Sequence, residues 1–161
     1  MICQLRIDDR LIHGQVAMAW SKELKIEGIV VINDKVANDE FEKLTLDLAK
    51  PSNTNLLVVS VDAGIKFLNS EKINKYRVLV IVNNSDDALE IVKNVKEIKS
   101  INVGGLRMAP GKKMISHSVA VDERDISNFQ EMVNMGVEIE IRQIPSDPKI
   151  SVENLLKLKR S

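Results

Sequence analysis

Residues 8–15 read DDRLIHGQ and place two acids, an arginine, a histidine and a glycine in one short stretch. The apolar run ICQLRI precedes them and the apolar, helix-like run QVAMAW follows. A histidine in such a turn can act as a nucleophile: a neutral imidazole nitrogen attacks phosphorus and forms a phosphoramidate. Three anionic oxygens must then be stabilised, and the turn holds groups suited to that. Gly14 lets the backbone approach closely. The free N–H groups opening the next helix, around Gln15 and Val16, favour an anion. Arg10 offers a planar fork for phosphate oxygens. Either Asp8 or Asp9 could fix the tautomer of His13 through its second nitrogen, or tether Arg10. By spacing alone, the same residues also read as a solvated loop histidine beside a surface Arg10–Asp9 ion pair.

The elements that must position this turn follow from the apolar pattern. Runs of strand length occupy 2–7, 28–33, 55–60 and 77–82, and INVGG opens a fifth near 101. Such continuous Val- and Ile-rich runs are expected of strands covered on both faces. Between them lie helices. Val16, Trp20 and Leu24 share one face of the first, with Trp20 as its anchor to the sheet. Asp39 and Glu42 have capping-box spacing before FEKLTLDLAK, which Pro51 ends. Ser85, Asp86 and Asp87 start another helix. DERDISNFQEMVNMG closes on Gly136 as a C-cap. VEIEIRQI alternates strictly and reads as an edge strand with one wet side. The pattern predicts one α/β domain over 1–161: a single open, mostly parallel sheet with helices on both faces and an antiparallel edge strand. Sites in such sheets lie beyond the carboxyl ends of strands, where residues 8–14 fall.

Composition narrows the function classes. Lys+Arg and Asp+Glu balance at 23 each with no block of one sign, which argues against a nucleic-acid face. Aromatics are only 3%, so Val, Ile, Leu and Met must fill the core. Met108, Met114, Met132 and Met135 are expected in core or cap packing. No apolar run approaches the roughly 20 residues that cross a bilayer, and the N-terminus lacks signal-peptide sections. With the lone Cys3, expected as a buried hydrophobe, this predicts a reduced, cytoplasmic setting. The two histidines have no metal-spaced companions, so no zinc site is expected. His117 is assigned a surface or strand-end role. Gly104 and Gly105 lack a full dinucleotide fingerprint and are read as a close backbone approach near the site.

RIDDRLIHGQV resembles the signature of the IIB components of the mannose/fructose/sorbose family of the bacterial phosphotransferase system. INVGGLR, GKKMISHSVAVDERDI and GVEIEIRQIPSD continue the resemblance in order, so it spans essentially the whole chain. It implies that His13 receives a phosphoryl group on Nδ1 from a phosphohistidine of a IIA protein. His13 would pass it to a sugar bound by the membrane-embedded IIC and IID subunits. Arg10 would stabilise the transferring group, with Gly14 and Gln15 in the backbone cradle and Asp9 beside it. Catalysis would be mostly positioning and charge stabilisation, without metal or cofactor. In this family the membrane subunits mainly select the sugar, which leaves mannose, fructose, sorbose, glucose and amino-sugars open. Arg107 could reach the phosphate or a partner. Pro110 and Gly111 form a tight turn presenting Lys112 and Lys113, either as contacts to an acidic partner or as a solvated loop.

The competing reading is a receiver domain phosphorylated on an aspartate. Asp8 and Asp9, Asp62, Ser85 and Lys112 occur in the required order. Against it, the first turn carries a histidine and a glycine that a receiver does not need. Asp62 opens a helix, where capping or first-turn charge is its expected role. A phosphate- or nucleotide-binding module without turnover is a third reading.

Overall fold

The computed structural model describes residues 1–160. Its strands are β1 (Ile2–Asp8), β2 (Gly28–Ile32), β3 (Asn55–Val59), β4 (Val78–Val82), β5 (Ser100–Gly105), β6 (Lys113–Met114), β7 (Ala120–Val121), β8 (Glu138–Ile141) and β9 (Ile150–Ser151). The helices are α1 (Gly14–Leu24), α2 (Asp34–Ala37), α3 (Glu40–Ala49), α4 (Val61–Leu68), α5 (Ser85–Asn94), α6 (Glu123–Asn134) and α7 (Val152–Leu155). Seven strands form one sheet in the order β3-β2-β4-β1-β5-β8-β9. All pairs are parallel except β8 with β9. This is the expected mostly parallel α/β sheet with an antiparallel edge.

The helices divide the core in two. Leu5, Ile7, Val80 and Val103 face a cluster completed by α4, α5, α6 and α7. Ile29, Val31, Leu79 and Ile81 face the other, under α1, α2 and α3. The chain therefore leaves β1 toward one face, while it leaves the neighbouring β4 and β5 toward the opposite face. Such divergence opens a crevice at the carboxyl end of β1.

Several expectations change, among them Cys3, which is only partly buried against the cluster under α1. The edge is β9, not the alternating segment after Gly136. β8 lies inside the sheet, parallel to β5 and covered by β9. Its polar side is only partly wet, because Glu140 is bound by Asn102 and Arg142. Of the methionines, Met132 is in the core and Met135 caps α6, but Met108 and Met114 are exposed. Finally, α5 is capped by Asn84 rather than Ser85, whose buried hydroxyl instead donates to Asp125 Oδ1 at 2.7 Å. Gly136 does close α6, at φ +85°. The Val137 amide donates back to Met132 O at 3.0 Å, as a Schellman ending requires.

Candidate active site

The site grows from the last residues of β1. Asp8 is fully buried, and the chain then turns at once, with the Leu11 amide donating to Asp8 O at 2.9 Å. Closing this turn puts Leu11 at φ +59°, a conformation that costs an L side chain about 1–2 kcal/mol. It persists because the Leu11 and Ile12 side chains are buried in the core with Val16 and Trp20. Anchored on both sides, the chain delivers His13 to the N-cap of α1 with its ring exposed.

That N-cap differs from the others. Asn33, Asp39, Ser60, Asn84, Asp122 and Ser151 each accept an amide of the helix they precede. His13 makes no side-chain cap, and no acid stands in the first turn of α1. Gly14 adopts φ +22°, strained for any other residue, and a Cβ there would meet nothing within 4 Å. The first amides of α1 thus lack a side-chain acceptor beside an exposed imidazole, an arrangement that suits an anion. Arg10 Nη1 lies 3.4 Å from His13 Nε2.

Arg10 is held from beneath. Its amide and Nε donate to Asp8 Oδ1 at 3.0 and 3.5 Å. The other carboxylate oxygen accepts Arg6 Nη2 at 2.9 Å, so one buried acid is shared by two guanidinium groups. Arg6 is itself buried within the sheet. It donates further to Asn102 Oδ1 at 2.5 Å, Arg142 O at 3.3 Å and Gln143 O at 3.1 Å. Burial pulls the Arg6 guanidinium below its usual range, and the Asp8 carboxylate opposes that pull. A guanidinium stays charged through such shifts. Trp20 completes the support: Arg6 and Arg142 lie 5.7 and 5.0 Å from its ring centroid, and its Nε1 donates to Gln143 O at 2.9 Å.

The double glycine makes this support possible. A Cβ on Gly104 would fall 2.1 Å from Arg6 Cζ, so only glycine leaves space for that guanidinium. Register slips at the same place: Ile7 faces Val103, but Asp8 faces Gly105. The close approach expected of this pair is made to buried charged side chains, which in turn hold Arg10.

Asp9 turns the other way. Its Oδ2 accepts the amide and Nε of Arg107 at 2.7 and 3.2 Å, clamping the exit of β5 to the first turn. Neither Asp8 nor Asp9 reaches His13, so of the two roles open to the acids, tethering Arg10 falls to Asp8. A cavity of about 320 Å³ opens here, with Arg10, Arg107, Met108, Met114 and His117 among its walls. His117 is exposed, as expected of a surface residue, yet it belongs to this wall. Gln15 lies exposed on the first turn of α1. Pro110 and Gly111 form the expected turn, with the Lys112 amide donating to Ala109 O at 3.0 Å. Lys112 is directed to Asp125 at 3.4 Å, while Lys113 is exposed on β6.

The receiver constellation does not assemble. Asp62 follows β3 at the sheet's far edge, separated from β1 by β2 and β4, on a helix capped by Ser60. Sequence reasoning passed over Arg6, Leu11 and Asn102. An arginine inside an apolar strand run was the available signal for Arg6, since such a residue must find a buried partner. Among the described residues, no three or more His, Cys, Asp or Glu side chains are grouped to hold a metal. None of the helices is long and apolar enough to cross a membrane.

Residues 2–161 match the model of the PTS system sorbose subfamily IIB component. The PTS system mannose-specific EIIAB component of Escherichia coli K12 is 38% identical over 151 residues, 94% of this chain and 47% of that protein. The chain therefore spans about half the length of that relative. The sorbose-specific EIIB component of Klebsiella pneumoniae is 35% identical over 91% of this chain and 90% of its own length. The crystal structure of the IIBSor domain of the Klebsiella pneumoniae sorbose permease superposes with a TM-score of 0.92 at 34% identity, covering 98% of this chain and 96% of the other.

Proposed function

From the premise that the chain belongs to the sorbose-subfamily IIB components of the phosphotransferase system, we propose that His13 is its phosphoryl acceptor and donor. The group arrives from a phosphohistidine on IIA and leaves to a sugar held by the membrane subunits IIC and IID. The observation that carries this reading is the exposed N-cap imidazole of His13, beside uncapped helix amides and a braced arginine.

The first step forms a phosphorus–nitrogen bond to His13 as the donor's phosphorus–nitrogen bond breaks. Attack through Nδ1 uses the tautomer with its proton on Nε2, so the Arg10 contact to Nε2 is given up in the transfer state. Nδ1 is the ring nitrogen nearer the backbone, which brings a phosphoryl group there toward the amides of Gly14, Gln15 and Val16. His13 keeps its Nε2 proton and becomes a phosphorylated imidazolium. The donor ring, protonated on its second nitrogen, leaves as neutral imidazole. In the second step a sugar hydroxyl oxygen bonds to phosphorus as the phosphorus–Nδ1 bond breaks; His13 returns to neutral imidazole with its Nε2 proton, and the hydroxyl proton passes to solvent. A loose phosphoryl transition state asks mainly for alignment and charge stabilisation. Arg10 supplies the charge, and Asp8 and Asp9 hold Arg10 and Arg107 in place. Arg107 and Lys113 are then rim contacts to the partners, and Lys112 holds the loop to α6.

The test is incubation with phosphorylated IIA, followed by mapping of the label. Label on His13 that is lost in acid and survives alkali is expected. Alkali-labile label on Asp62 that requires Mg²⁺ would replace this reading with the receiver one.

A further inference from the structure

On α3 most of the apolar side chains point away from the core. Leu46 is buried, whereas Phe41, Leu44 and Leu48 are 77%, 57% and 79% exposed. Phe41 and Leu48 are the two most exposed large apolar side chains among the described residues. Single apolar residues on a surface need no explanation, but spacing of i, i+3 and i+7 makes these three one continuous ridge. Anchors in that pattern characterise a helix laid into a partner's groove.

The flanks of the ridge select the partner. At about 100° per residue, Glu40 and Asp47 run along one side, while Thr45 and Ala49 border the other, with the exposed Glu42 farther round. Lys43 and Lys50 fall on the inward, half-buried side, and Lys43 reaches only Glu40, at 3.6 Å. Glu42 and Asp47 have no ion pair among the described residues. A second copy packed about a two-fold axis would set these acids against themselves. An anionic lipid surface would repel them. An apolar groove rimmed by Lys and Arg complements them, and the cytoplasmic loops of membrane proteins carry an excess of those residues.

We infer that α3 is a docking ridge that seats in a basic, apolar groove on the cytoplasmic surface of the membrane-embedded acceptor. The inference rests on the phosphoryl-transfer reading for the existence of that acceptor. No ridge residue lines the cavity beside Arg10. Seating α3 therefore leaves that cavity unoccupied. Attachment keeps His13 at high effective concentration near the sugar.

The test is cosedimentation of the full chain with inside-out vesicles containing the IIC and IID subunits, compared with vesicles lacking them. Replacing the two anchors together, Phe41→Gln with Leu48→Gln, should weaken binding about thirty-fold or more. Glu42→Lys with Asp47→Lys should weaken it as well. Both variants should accept phosphate from phosphorylated IIA in solution at the parent rate, because no ridge residue lines the cavity beside Arg10. Unchanged vesicle binding by the double Gln variant would overturn the inference. So would capture by protein-free vesicles of anionic phospholipid, or a solution dimer that Leu48→Gln dissociates. Failure of the parent chain to take up phosphate would instead remove the transfer reading, while vesicle binding still decides the ridge.

Discussion

The turn from β1 into α1 and the turn from β4 into α5 occupy equivalent places, at the carboxyl ends of adjacent central strands. Their polar groups are used in opposite ways. At α5, Asn84 accepts the Asp87 amide at 2.8 Å, and its own amide group donates to Asn83 at 2.7 Å. Asn33 donates to Asn83 as well, at 3.0 Å, and Ser85 is bound to Asp125. Each of these polar side chains has an internal partner. At α1 the capping position holds a histidine that caps nothing, two residues after the left-handed Leu11 and just before Gly14, whose φ would strain any other residue. One turn is built for stability. The other leaves local stability unused, and that is where a ligand's anionic oxygens can substitute for the missing cap.

Substitutions can break or sharpen that contrast. His13→Asn has the largest expected effect, because it should abolish phosphate uptake from phosphorylated IIA while introducing a good capping residue. Stability should hold or rise by about 1 kcal/mol. Labelling and a urea midpoint read the two effects separately, and retained label would remove His13 from the chemistry. Arg10→Ala should slow transfer by about two to three orders of magnitude, as loss of one preorganised charge stabiliser does elsewhere. Single-turnover kinetics check it, and an unchanged rate would leave Arg10 as a surface cation. Gly104→Ala should destabilise the fold by about 3 kcal/mol, since Arg6 must abandon the buried Asp8 to admit a methyl group. A denaturant midpoint close to the parent's would show that Arg6 has another place to go. Asn84→Ala should cost about 1 kcal/mol and leave transfer unchanged. A slower rate there would mean that the two turns are not independent.

The parallel sheet was readable because its strands are continuous Val- and Ile-rich runs, and the site turn because its residue types cluster locally. What escaped has physical reasons. β6, β7 and β9 are two residues long, too short to carry a period. Residues 137–142 alternate, but alternation cannot say whether Glu140 meets water or Asn102. Burial of Arg6 depends on Gly104, Asn102, Trp20 and Gln143, which only the folded sheet brings together. The outward ridge of α3 was equally hidden, because an amphipathic pattern marks an apolar face without saying what covers it.

Sharing of Asp8 between Arg6 and Arg10 has a consequence for motion. A surface arginine that were the sole counterion of an interior acid could not move without leaving that acid uncompensated in a medium of low polarizability. Here the buried Arg6 also pairs with Asp8, at 2.9 Å, so Asp8 keeps a counterion if Arg10 moves. The interior guanidinium is thus a standing ballast, and the outer one can shift without stranding a buried charge.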